Sequence, residues 1–284
     1  MTKFERVPEY LVIGHVTRDV VAEGGYRQGG TAAYAALAAL HLGKQVGVLT
    51  SVGAGIKPFP QNSVWVQVQP SPQSTIFENI YLGRARKQYV RGVAALLTPE
   101  QLPLAWRKAP IVHLGPVAQE ISPALAEAFD DALIGVTPQG WLRRWDDDGL
   151  VAPAEWRDSE RILDAAHVVV LSLEDLGGDR PRLEALARKA RLLVLTLGEQ
   201  GALVYQGGRR QRVRAYAVEE IDPTGAGDVF ATGFLIRYAE TGDAIESARF
   251  ANCVASFVVE GIGPANLPNR DQVEERLRYG RIRE

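Results

Sequence analysis

The chain has little with which to staple itself or to bind a metal through soft ligands. One cysteine, Cys253, in 284 residues leaves no disulfide within the chain and no thiolate zinc site. That fits a reducing compartment. The four histidines, His15, His41, His113 and His167, stand singly beside apolar runs, and no spacing makes a ligating pair. No stretch approaches the roughly 20 uninterrupted apolar residues of a membrane span, and the opening MTKFERVPEY has no signal-peptide core. A soluble, cytoplasmic protein is the expectation. A charge excess is missing too: 32 Lys+Arg balance 34 Asp+Glu, so no broad field would hold a nucleic acid backbone or an acidic membrane. A small molecule is the expected partner. Two phosphate-binding motifs are absent as well. Without GxxxxGK followed by Ser or Thr, the P-loop kinases are excluded, and no GxGxxG follows the first apolar run, which argues against a Rossmann oxidoreductase.

What is present is a chain that is 46% hydrophobic, enough for one large α/β core. Tyr10 to Ile13, Val46 to Leu49, Ile111 to Leu114, Leu133 to Val136, Val168 to Leu171 and Leu192 to Leu195 are short apolar runs bounded by turn residues. They read as strands buried on both faces. Thr31 to Leu42 reads as a buried helix ending at Gly43, and Pro123 to Phe129, Ala154 to Ala165 and Arg180 to Ala190 read as crossover helices. The alternation predicts a mostly parallel sheet flanked by helices. Val64 to Val93 instead alternates apolar and polar residues, which predicts antiparallel strands with one wet face, leaving the main sheet as a flap. From Thr224 to Tyr279 the chain reads as helical, with breaks at Gly242 and at GIGPANLPN.

The most informative stretch is IDPTGAGDVFATGFLIRYAE, Ile221 to Glu240. Gly225, Ala226 and Gly227 leave the amides of a first helical turn uncovered at the positive end of the helix, a suitable hole for a phosphoryl group. Asp228 sits in the same turn, where a carboxylate can take a proton from an attacking hydroxyl. An acid in a first turn also simply stabilises the helix dipole. The longer string decides between the two: DPTGAGDVFATGFL resembles the C-terminal signature of the PfkB (ribokinase-like) family of carbohydrate kinases. The resemblance implies a ribokinase-like α/β fold, Asp228 as catalytic base, Gly225 to Gly227 as the anion hole, and Asp222 and Thr224 as the signature's leading acid and hydroxyl on the nucleotide side.

Other segments are similar to the same family. GHVTRD, Gly14 to Asp19, resembles the first strand with its acid, and an Asp can grip two hydroxyls in fixed directions. QGGTAAYAALAALHLG resembles the paired-glycine signature, which puts Gly29 and Gly30 at the substrate, with Tyr34 where many relatives have an asparagine. VVVLSLEDLGGD resembles the segment that orders magnesium through water, which points to Asp175 and the adjacent Glu174. The bland reading is that SLED caps the next helix. LTLGEQG resembles the nucleotide turn, bringing Thr196, Gly198 and Gly201 to the ATP, and RFANCVASFVVEG resembles the helix over the adenine, with Asn252 as its polar contact. In QGWLRRW, Arg143 or Arg144 stands where substrate-specific residues fall in several relatives, although a solvated basic turn reads equally well.

These readings imply one ribokinase-like domain over 1–284, with a reduced β lid within 64–93 and at most a tight hairpin over 20–28. The implied reaction is transfer of the ATP γ-phosphoryl group to a hydroxyl with Mg2+. GHVTRDV and GGTAAYAAL resemble the inositol-kinase-like branch, while sugars and nucleosides stay open as acceptors. A non-catalytic binding protein on the same fold is the alternative, although binding alone has no need of a base at Asp228. A monomer or a homodimer is expected, the dimer burying outer flap residues such as Ile76 or Ile80.

Overall fold

A computed structural model describes residues 3–21, 24–59, 63–82 and 85–284 of the chain. Tyr10–Ile13 (β1) is followed by Thr17–Val20 (β2), Tyr26–Gly29 (β3) and the helix Thr31–His41 (α1). Then come Val46–Gly53 (β4), Trp65–Ser71 (β5), Ile76–Leu82 (β6), Ala85–Gly92 (β7), Ile111–Leu114 (β8) and Leu133–Val136 (β9). Arg143–Trp145 (β10) and Val151–Pro153 (β11) pair as a small ribbon. Ser159–Ala165 (α2), Val168–Ser172 (β12), Arg180–Lys189 (α3), Leu192–Thr196 (β13), Ala202–Gln206 (β14) and Arg209–Val213 (β15) lead to three closing helices, Ala226–Thr241 (α4), Ala244–Val258 (α5) and Arg270–Tyr279 (α6).

The main sheet has nine strands in the order β15-β14-β13-β12-β9-β8-β1-β4-β5. It is parallel except where β14 and β15 fold back as an antiparallel hairpin. Its central strands are buried at nearly every position because both faces are covered. Tyr10 and Val12 of β1 face α1, α4 and α5, whereas Leu11 and Ile13 face α2, α3 and the short helical turns around Trp106 and Leu125. The same division recurs in β12, with Val168 and Val170 on one side and Val169 and Leu171 on the other. The chain leaves β1 toward β4 on one side and β8 on the other, so a topological switch point opens at the carboxyl ends of these strands. The outer edge, β15, carries Arg209, Arg210, Gln211 and Arg212, all exposed. Among the described residues no helix is long and apolar enough to cross a membrane.

The segment read as a flap divides in two. Trp65–Ser71 does not leave the main sheet but lies parallel to β4 as its edge strand, with Gly47 opposite Trp65 and Gly53 opposite Ser71. Alternation signals one wet face, and an edge strand has one as readily as a lid strand does. The small second sheet, β3-β2-β6-β7, takes the remainder, Ile76 to Gly92, and the hairpin formed by β2 and β3. Its pairings are antiparallel apart from β2 with β6. Each hairpin strand has four residues, as the short span allows. Glu23 of the expected EGG turn lies outside the described residues.

His15, given no chemistry from its spacing, ties the roots of this sheet together. Its Nδ1 accepts from the Thr75 hydroxyl at 2.6 Å and its Nε2–H donates to the Ala95 carbonyl at 2.9 Å. The Thr75 oxygen in turn accepts from the Ala94 N–H. Three of the four chain crossings between the sheets, those after β1, β5 and β7, therefore meet on one ring, and burial pushes that ring below its usual titration range and keeps it neutral.

Candidate active site

A cavity of about 670 Å³ opens at the carboxyl ends of the parallel strands, between the two sheets. At its floor two helix N-termini converge. Gly225, at φ 80°, is the N-cap of α4, and Gly30, at φ 86°, is the N-cap of α1. Asp228 lies in the first turn of α4 and Thr31 in that of α1, and the Thr31 hydroxyl bonds to the Asp228 carboxyl. Removal from water pushes the Asp228 carboxyl up to about 6; Thr31 and the nearby Arg143 oppose the shift, and Asp175 adds to it. Such a carboxyl is a base matched to neutral pH. The N–H of Ala226 is not free for an anion, because it donates to the Pro223 carbonyl at 3.1 Å. An anion hole in this turn would therefore draw on its other amides, beginning with that of Gly227, where a Cβ would meet nothing within 4 Å.

Asp19, on β2, faces this floor from the lid side. Its Oδ1 accepts from the Thr17 hydroxyl at 2.9 Å, and burial raises its pKa, opposed by Thr17 and Arg27. Gly29 serves it sterically, since a Cβ there would lie 2.3 Å from Asp19 Oδ2. Phe77, Asn79 and Gln88 of the lid and Gln139 and Arg143 beyond β9 complete that end of the cavity. At the other end lie Thr196, Gly198 and Gly201, with Ala215, Val218, Ala255 and Val259 as an apolar slot. Asp222 and Thr224 line the cavity between the two ends, and Asp222 caps its own loop by accepting from the Thr224 N–H at 3.0 Å. Glu174 and Asp175 lie on the wall, but Asp175 is already engaged. Its Oδ2 accepts from the Ser172 N–H and hydroxyl, both at 2.8 Å, and its Oδ1 accepts from Gln139. Among the described residues no group of three or more His, Cys, Asp or Glu is disposed to hold a metal.

Residues 156–271 match the profile described as pfkB family carbohydrate kinase, and that stretch contains the GAGD turn, Asp175 and the whole apolar slot. Over that stretch the chain carries the pattern of the PfkB family. A ribokinase from Bacillus subtilis is 39% identical over 95 residues, 33% of this chain and 32% of that protein. A cytidine kinase from Thermococcus kodakarensis is 28% identical over 262 residues, 81% of this chain and 88% of the relative. The first curated relatives, the ribokinase and two archaeal nucleoside kinases, are matched over only 32%, 30% and 28% of their lengths. Solved structures extend the likeness of fold to almost the whole chain. A pyrophosphate-dependent kinase in the ribokinase family, complexed with a pyrophosphate analog and myo-inositol, superposes with a TM-score of 0.76 at 23% identity, covering 94% of this chain and 99% of its own. A fructokinase from Xylella fastidiosa with bound ATP gives 0.75 at 19% identity, covering 95% and 98%. The fold is ribokinase-like, a large mostly parallel sheet with a small second sheet.

Two residues expected to touch ligand have other work. The amide nitrogen of Asn252 donates to the carbonyls of Val213 and Arg214, both at 3.2 Å, so it holds the end of β15 against α5 and turns only its remaining polarity to the cavity. Tyr34 is 4% exposed, and its ring lies beneath Gly225. A Cβ on Gly225 would come within 2.2 Å of Tyr34 Cδ1, and burial with the carboxylates Asp222, Asp228 and Asp19 nearby pushes the phenol up to about 12. Gly225→Ala therefore meets both a clash and a left-handed backbone. We expect a loss of about 2–4 kcal/mol in stability, read by chemical denaturation, together with loss of the phosphate hole. A variant within about 0.5 kcal/mol of wild type would refute this packing.

The residues missed by sequence reasoning are Asn79, Gln88 and Gln139. Gln88 donates to Asn79 Oδ1 across the lid at 3.0 Å. Their signal was weak: Asn79 and Gln88 are uncharged amides on alternating strands, and Gln139 lies in a short helical turn after β9.

Proposed function

We propose that the protein is an ATP-dependent kinase that phosphorylates a hydroxyl of a sugar, polyol or nucleoside. The observation that carries this is the desolvated Asp228 carboxyl beside an open helix N-terminus, at the floor of one cavity that also holds Asp19. The acceptor hydroxyl lies between the two acids. Asp19 fixes it, Asp228 takes its proton, and the amides of the Gly227 turn cover the charge on the transferred phosphoryl group. The apolar slot of Ala215, Val218, Ala255 and Val259 suits a purine and has no purpose for a bare pyrophosphate donor.

Among the described residues, seven carboxylates line the cavity (Asp19, Glu174, Asp175, Glu199, Glu220, Asp222 and Asp228) against two arginines, Arg143 and Arg283. A polyphosphate therefore enters only with its own cation, and oxygen-rich walls suit Mg2+. Glu174 and Asp175 would hold the ion through water, since Asp175 already accepts three protein hydrogen bonds. When bound, the ion neutralises phosphate charge.

Ribose, fructose, myo-inositol and cytidine, each offered with Mg2+ and either ATP or pyrophosphate, test the reading. Turnover of at least one acceptor with ATP, and none with pyrophosphate, is expected. No turnover by any pair, or turnover with pyrophosphate alone, would overturn it. Asp19→Ala is expected to raise the KM for the acceptor at least about tenfold, the loss of a charge-assisted bond, while the KM for ATP moves less than about twofold. Equal rises in both would make Asp19 structural.

A further inference from the structure

A line of polar side chains crosses the apolar layer between the main sheet and α4. Thr137, at the end of β9, lines the cavity, and its Oγ1 lies 3.0 Å from His113 Nε2. His113 Nδ1 lies 2.8 Å from the Tyr10 hydroxyl, which lies 3.2 Å from Thr232 Oγ1. The Thr232 hydroxyl bonds to the Asp228 carbonyl at 2.9 Å. Tyr10, His113 and Thr232 are fully buried. Apolar residues of the same size would fill this space at less cost in desolvation, so the polarity calls for a purpose beyond packing.

The proton count along this line is determined from one end. A carbonyl can only accept, so the single Thr232 proton points at Asp228. Thr232 then accepts from Tyr10, whose one proton is thereby used. The Tyr10 oxygen must in turn accept from His113, which places the imidazole proton on Nδ1. Burial without a carboxylate partner pushes His113 down to about 3, so the ring is neutral and carries one proton only. Nε2 is therefore bare and accepts from the Thr137 hydroxyl.

We infer that Tyr10, His113 and Thr232 are positioning residues that turn the Thr137 proton inward, so that Thr137 presents only lone pairs to the cavity and recognises an O–H of the acceptor. The reading rests on the kinase function proposed above. It selects acceptors that offer a hydroxyl donor at this wall and disfavours those that place a carbonyl or ether oxygen there. Tyr10 touches no cavity atom, yet it decides the polarity of a group that does.

The test separates the tautomer from the turnover. In wild type, 15N spectra of labelled histidine should show His113 protonated on Nδ1, and His15, which donates from Nε2, serves as the opposite tautomer in the same sample. Tyr10→Phe and Thr232→Val each free the His113 Nδ1 proton from its constraint by different routes, and both should move it to Nε2. With that shift His113 donates to Thr137, one outward position of the hydroxyl becomes a proton, and the KM for the acceptor taken from ribose, fructose, myo-inositol and cytidine should rise about fivefold. The KM for ATP should stay within about twofold. Thr137→Val should show the same split, and Thr137→Ser should restore wild-type behaviour. His113 on Nε2 in wild type overturns the inference, as does an unchanged acceptor KM in both tautomer variants or an equal rise in both KM values. If no acceptor is phosphorylated at all, the kinase reading fails, while the spectra still decide the hydrogen-bond direction on their own.

Discussion

Asp228→Asn should lose catalysis and gain stability. Losing a general base costs about 10²- to 10⁴-fold in turnover, and with the amides of the Gly227 turn intact, ATP affinity should change little. The stability gain follows from the raised pKa. In the unfolded chain the carboxyl ionises near its model value of 3.8, whereas in the folded protein it does so at about 6. Below the lower value both states are protonated and the folded state bears no cost. As pH rises from the lower value to the higher, the unfolded chain ionises while the folded state resists, and stability falls by up to about 3 kcal/mol, the loss complete above the higher value and smaller where cavity water screens the group. Asparagine removes that cost, so the stability difference between variant and wild type should be near zero at pH 4 and reach its full size above pH 7. Urea midpoints at the two pH values check the stability gain, and the acidic limb of kcat/KM, expected near pH 6 in wild type and absent from the variant's residual rate, checks the loss of the base. A variant less stable than wild type at pH 8, or turnover within twofold, would mean that the carboxyl is not the buried base.

Glu120→Ala should be the most damaging substitution outside the cavity, at about 4 kcal/mol. This side chain, 2% exposed, accepts from the His15 N–H at 3.0 Å, from the Val117 N–H through both oxygens, and from the Ala118 N–H at 2.6 Å. It thereby joins the loop after β8 to the loop after β1. Removing it leaves three buried donors with no acceptor, each costing about 1–3 kcal/mol before relaxation or water entry. Glu120→Gln should fare only somewhat better, because its NH₂ must face N–H groups that are themselves donors. A loss below about 1 kcal/mol in chemical denaturation with an unchanged m-value would show that water replaces the carboxylate at little cost.

The parts of the fold legible in the sequence were those written in consecutive residues. The six apolar runs became strands of the main sheet at the expected places, and the GAGD turn opened a helix, because local pattern and burial on both faces agree there. The pieces that depend on pairing were not legible. Trp65–Ser71 carries the alternation of any half-wet strand, and only its partner β4 decides that it belongs to the large sheet. At the candidate site, the convergence of Asp19, Gly225 and Asp228 followed from the motifs, but the duties of Tyr34 and Asn252 did not. Tyr34 supports the Gly225 turn from a helix far away in sequence, and Asn252 spends its donors on β15. Tyr10, His113 and Glu120 were read as apolar-run companions or passed over, since a hydrogen bond between distant strands leaves no local trace.

The arginines of β15 bear on how the protein behaves at high concentration. A nine-stranded sheet left open at its rim offers unpaired N–H and C=O groups to any other strand, including the same strand of a neighbouring molecule. Arg209, Arg210 and Arg212 stud that rim with positive charge on side chains exposed to water. Two such rims brought together would set like charges about one strand spacing apart, roughly 4.8 Å, and would strip water from them. The hairpin thus ends the sheet chemically as well as geometrically, and keeps the long sheet from propagating into fibres without a covering helix.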